Sequence, residues 1–186
     1  MLNKYNAIRN TVIAVALMLG SSQLFAQTAT GTVNATLNHK NGIVLVFDTD
    51  AAGVALGNTG SSAASAGFGT ISAFGPLSAG VTRPTVGPVT YTVQTVFDVN
   101  VIEGGLVSAN YTLTANLAAA APTGMSYKVD AVTLTTAAQT ITTTGTYNAD
   151  VAHNLGLVVS MAGPGAGGPA VGTPITATIN FTATAN

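Results

Sequence analysis

Apolar and polar residues alternate with a period of two along much of the chain, the signature of strands that bury one face. In residues 28–37 the odd positions are Ala29, Gly31, Val33, Ala35 and Leu37, and the even positions are threonine or asparagine. In residues 175–185 the odd positions are Ile175, Ala177, Ile179, Phe181, Ala183 and Ala185, again against threonine and asparagine. Each segment predicts a strand with a core face and a hydroxyl-rich solvent face. Residues 43–47 (IVLVF) are continuously apolar, as a central strand would be. Further strands are predicted over 68–74, 89–102, 106–117, 127–135, 139–147 and 155–161.

Turn residues punctuate these runs. Asn41-Gly42 carries the type I′ hairpin signal. Glu103-Gly104-Gly105 predicts a hairpin joining 89–102 to 106–117. Residues 53–67 and 163–172 are rich in Gly, Ser, Ala and Pro and read as loops. The run Leu117 to Ala121 is too short to stand as a helix. Short strands separated by turns point to a β-sandwich or barrel. Sparse aromatic residues argue against the girdles of an outer-membrane barrel.

The first 26 residues break this pattern. Lys4 and Arg9 precede an apolar run over residues 11–20, followed by a small-residue end with Leu24 and Ala26. This order predicts a secretory signal peptide cleaved before Gln27, the run being shorter than a membrane span requires. A single domain is expected over 27–186, without a transmembrane span, in the periplasm, at the cell surface or outside the cell.

Cleavage would leave Lys40, Arg83 and Lys128 against Asp48, Asp50, Asp98, Glu103, Asp130 and Asp150, a net charge of −3. No basic patch remains for nucleic acid or for docking on anionic lipid. The chain has no cysteine, which removes disulfides, thiol catalysis and thiolate zinc sites. Only 6% of residues are charged, so threonine, serine and asparagine must supply the polar surface.

Chemistry-bearing residues are few. Asp48-Thr-Asp50-Ala-Ala-Gly53 matches part of a calcium loop, but Ala52 and Thr59 stand where further ligands belong. Asp48 and Asp50 are therefore weak metal candidates, and a turn capped by aspartate is the favoured reading. His39 lies beside a predicted hairpin, and His153 lies three residues from Asp150. No nucleophile elbow accompanies them. Glu103 is the only glutamate, and tryptophan is absent, so neither paired carboxylates nor a sugar platform is evident. No enzyme and no cofactor is expected.

The export signal, the alternating strand 28–37 directly after it and the alternating strand 175–185 together resemble the exported fibre subunits of bacteria, the chaperone–usher pilins and spore-coat-U-like proteins. The resemblance implies a single antiparallel immunoglobulin-like β-sandwich of about eight to nine strands. It also implies a non-enzymatic structural subunit of a surface fibre or layer, self-association by strand addition and a periplasmic chaperone as partner. Ala29, Gly31, Val33, Ala35 and Leu37 would then form the inserted face. The disulfide of many pilins is missing. Pairing of 28–37 within its own sheet remains an equal reading, and the alternative function is a monomeric binding or adhesion module using loops 53–67 and 163–172.

Overall fold

The computed structural model describes residues 42–105, 108–162, 172 and 174–186, all inside the compact unit that spans 39–186. The predicted export signal, the predicted strand 28–37 with Ala29, Gly31, Val33, Ala35 and Leu37, His39, and the predicted loop 163–172 except Gly172 lie outside the described residues.

Nine strands and no helix make up the described fold: β1 (Gly42–Asp48), β2 (Thr82–Val86), β3 (Thr90–Gly104), β4 (Tyr111–Leu117), β5 (Met125–Val129), β6 (Val132–Thr133), β7 (Gln139–Gly145), β8 (Asp150–Ser160) and β9 (Ile179–Ala185). They form two antiparallel sheets that face each other as a β-sandwich, as the alternating pattern predicts. The larger sheet runs β1-β3-β8-β5-β6, with β2 pairing β3 beyond the end of β1. The smaller runs β7-β4-β9.

β3 is the spine. Its residues 90–100 pair with β8 from Thr90↔Ser160 to Asn100↔Asp150. On its other side 98–104 pair with β1 and 91–94 with β2. Strict alternation sends Tyr91, Val93, Thr95, Phe97, Val99 and Val101 into the core. β4 answers with Tyr111, Leu113, Ala115 and Leu117, all buried. Burying each Val or Leu side chain is worth about 1.5–3 kcal/mol.

Several predicted elements fall elsewhere. The Glu103–Gly105 turn does not join a hairpin. Gly105 has φ 73°, and the chain leaves one sheet and enters the other, so β3 and β4 face each other across the core. Alternation reveals which face of a strand is buried, but two strands facing across a core carry the same pattern as two that pair. Residues 68–74 form no strand. Residues 127–135 are a tight hairpin of β5 and β6, turned by Asp130 at φ 53°. β9 begins at Ile179, and residues 174–178 run exposed before it. β2 contains Pro84, which lacks a ladder N–H and suits this edge strand.

Residues 49–81 form a long cover over one end of the sandwich. Val54, Phe68, Ile71 and Leu77 pack from it onto the core. The Thr95 side chain, 1% exposed, holds both of its ends. Its hydroxyl accepts a hydrogen bond from the Val54 N–H (2.8 Å) and donates one to the Gly80 carbonyl (2.9 Å). A Cβ on Gly53 would collide with the Val96 carbonyl, which is why glycine stands at that crossing. Arg83 fastens the middle of the cover, donating from Nε to the Ser72 carbonyl (2.9 Å) and from Nη2 to the Gly75 carbonyl (2.6 Å).

Candidate functional site

The feature that stands out is a seam where two sheet edges meet. Among the described residues, β1 has a strand neighbour only in β3, and β9 only in β4. The two lie side by side: the Phe47 and Phe181 rings meet edge to face at 5.2 Å. Phe97 closes the cluster, 5.8 Å from Phe181 and 6.2 Å from Phe47.

The orientation of each edge follows from the bonds at its ends. The Phe47 N–H donates to the Ser61 carbonyl (2.9 Å), and the Phe47 carbonyl accepts from the Gly60 N–H (2.8 Å), both on the side away from β3. Successive residues of a strand point their backbone groups to opposite sides. The N–H and C=O of Ile43 and Leu45 therefore point to the same outer side as those of Phe47. On β9, the Thr178 carbonyl accepts from the Ala118 N–H and the Asn186 N–H donates to the Asn110 carbonyl, so even positions face β4. The backbone groups of Ile179, Phe181, Ala183 and Ala185 point outward. No described strand pairs with either row. An unpaired edge is a template for another strand.

The side chains considered for chemistry border this seam without converging on one site: Asp48 follows Phe47 on β1, and the His153 ring lies 6.1 Å from that of Phe97. Asp50 closes its own turn, with Oδ1 accepting from the Ala52 N–H at 2.6 Å. Asp48 Oδ1 accepts from the Thr59 hydroxyl at 3.3 Å. Asp98 stands opposite Asp48 in the ladder. Desolvation raises its pKa, and the like charges of Asp50, Asp150 and Asp48 push it further in the same direction, against the lowering influence of His153. Among the described residues no group of three or more His, Asp or Glu is placed to hold a metal ion. Glu103 lies in register with Ile43, and its N–H donates to Asn148 Oδ1 at 3.2 Å.

His153 is buried at 5% exposure, and its partner is Asp130 rather than the sequence neighbour Asp150. Asp130 Oδ2 lies 2.8 Å from Nδ1, and Asp130 Oδ1 accepts from the Asn154 N–H at 2.8 Å. The carboxylate fixes the imidazole proton on Nδ1, while the buried Nε2 has no hydrogen-bond partner. The pair thus ties the β5–β6 turn to β8. Sequence separation hid it: the two residues meet only because β5 pairs with β8. Asp130→Asn keeps a side chain that tolerates positive φ and bonds both partners, with the imidazole proton moved to Nε2. It is expected to cost about 1 kcal/mol, since the proton then sits on the buried, partnerless Nε2, whereas Asp130→Ala, losing both bonds at a strained φ, is expected to cost about 2–3 kcal/mol. Denaturant titration of the two variants checks that order.

The chain matches no protein-family model, no curated protein and no solved structure.

Proposed function

We propose that this protein is a non-enzymatic, exported structural subunit of a bacterial surface fibre or layer, assembling by β-strand addition at the seam. The observation that carries this reading is the pair of adjoining edges, β1 and β9, each without a described strand partner on its outer side. The alternating segment 28–37 has the composition to fill it. Its backbone would pair with the row Ile179, Phe181, Ala183 and Ala185, and Val33, Ala35 and Leu37 would enter the core. Small residues such as Ala29 and Gly31 suit shallow positions between two sheets. The commitment of His153 and Asp130 to each other, and of Asp50 to its own turn, supports a structural role over a catalytic one. A periplasmic chaperone would cover the same edges before assembly.

Deleting residues 27–37 tests the reading. The truncated subunit is expected to stay folded only with a supplied peptide of residues 27–38 or a chaperone, and to extend no filaments in electron microscopy. A mature protein that remains strictly monomeric at high concentration, on cells without filaments that contain it, would defeat the fibre and favour the binding module. A truncated chain that merely loses stability as a monomer would assign 28–37 to its own sheet.

A further inference from the structure

The chain that follows β1 turns back onto its outer edge. Residues 57–65 form a small hairpin, closed at its base by Gly57 and Ser65, whose N–H groups donate to each other's carbonyls (2.9 and 3.0 Å). Asn58 at φ 58° and Gly60 at φ 78° turn its tip. The Ser61 hydroxyl braces the turn by donating to the Asn58 carbonyl (2.8 Å). This tip sits on β1: the bonds of Phe47 to the Ser61 carbonyl and the Gly60 N–H use both of its outward backbone groups.

Residues at the end of β1 fasten the hairpin there. The Thr59 hydroxyl accepts from the Thr49 N–H (3.0 Å) and donates to Asp48 Oδ1 (3.3 Å). The Thr49 hydroxyl accepts from the Leu56 N–H (3.0 Å). Asp48 and Thr49, part of the run that looks like a calcium loop, thus serve as an anchor for the tip. The outer row of β1 is divided in consequence. Ile43 and Leu45 face the seam, where no described strand pairs with them, and Phe47 is capped. An added strand builds its ladder on successive outward groups. To pass Leu45 it would break the two bonds at Phe47 to form their replacements, and would lose the Thr59 bonds as well. Lengthening the ladder past Leu45 therefore brings no net gain.

We propose that the 57–65 hairpin is a register stop for strand addition: a strand from a second copy pairs with β1 at Ile43 and Leu45 and ends its ladder there. The proposal deepens the strand-addition reading and rests on it for the partner, while the cap itself rests on the bonds at Phe47.

The test follows amide hydrogen exchange, residue by residue, in the mature full-length protein as subunit and as assembled form. Phe47 and Gly60 are expected to be protected in both, and Ile43 and Leu45 to gain protection on assembly. Two variants open the cap. Gly60→Val puts a β-branched residue at positive φ, and Thr59→Val removes the hydroxyl while keeping its shape. Both positions are exposed, so circular dichroism should be unchanged. In the variant subunits the amides at 47 and 60 should exchange about tenfold faster or more. On assembly Phe47 should regain protection while position 60 stays open, because the ladder then runs past Leu45. A Gly60 amide that opens when the unaltered protein assembles would overturn the stop and make the hairpin a displaced latch. A Phe47 amide that stays open in the assembled variants, or a position 60 protected in both variants, would overturn it too, and strand addition survives each of these results. Ile43 and Leu45 protected in a subunit that never assembles would instead defeat the fibre and place 28–37 in its own sheet. The stop is then upheld by a Phe47 amide still protected beside an open position 60, and overturned by one that opens with it. Ile43 and Leu45 open in every state would overturn the stop and the pairing of any strand with β1.

Discussion

Replacing Thr95 with valine is expected to lower stability by about 2–5 kcal/mol, although the two side chains have nearly the same shape. The hydroxyl bonds both ends of the 49–81 cover from the spine strand. It receives the Val54 N–H and gives its own proton to the Gly80 carbonyl. Valine leaves a buried donor and a buried acceptor without partners, and each such group costs about 1–3 kcal/mol. For a domain of this size the loss corresponds to a melting temperature lower by about 4–20 °C. Thr95→Ser keeps the hydroxyl and deletes only a methyl, so it should recover most of the difference. If valine and serine melt together, the hydroxyl does not hold the cover.

The second large effect is at Gly145. This residue pairs with Tyr111 across the β4–β7 ladder, and the Tyr111 ring lies where a Cβ would sit. Tyr111 is fully buried, wedged against Tyr147 with ring centroids 5.3 Å apart, so it has nowhere to retreat. Gly145→Ala is expected to cost about 2–4 kcal/mol through overpacking. Adding Tyr111→Phe should not help, because the collision is with ring carbons. Adding Tyr111→Leu should recover part of the loss, with a coupling of about 1–3 kcal/mol in a double-mutant cycle. Tyr111→Phe alone should be neutral or mildly stabilising, since the Tyr111 hydroxyl is buried without a partner. Urea denaturation of these four variants and of Tyr111→Leu alone resolves these terms, and additive losses would refute the clash.

The extent to which the fold is legible in the sequence depends on the kind of information required. Period-two alternation locates β3 to within two residues of its ends and identifies the core face of β9, because burial of one face is a local property of a strand. Partner choice is not local. The Glu103–Gly105 turn reads as a hairpin, yet the same alternation serves β3 and β4 facing each other across the core. Pro84 conceals β2, since proline belongs in a sheet only at an edge, and edges are defined by topology. Residues 68–74 look like a strand because Phe68, Ile71 and Phe74 are apolar, but Phe68 and Ile71 are packing contacts of the cover, and Phe74 is 82% exposed. The His153–Asp130 pair joins residues 23 apart and becomes visible only after β5 and β8 pair. The turn reading of Asp50 is the one chemical detail that sequence alone supplied in full, because an aspartate bonding its own turn needs no distant partner.

The order of pairing also bears on how the molecule reaches this state. β1 and β8 reach β3 from opposite directions along the chain, and β4 is completed by β9, with Leu117 paired to Ile179. Contacts this distant in sequence make for slow folding, because long loops must close before their pairings stabilise anything. During synthesis, one edge of β4 stays unpaired until residues 179–185 have emerged. The smaller sheet therefore cannot close from its N-terminal side onward, because β4 waits for β7 and β9, which both follow it in the chain.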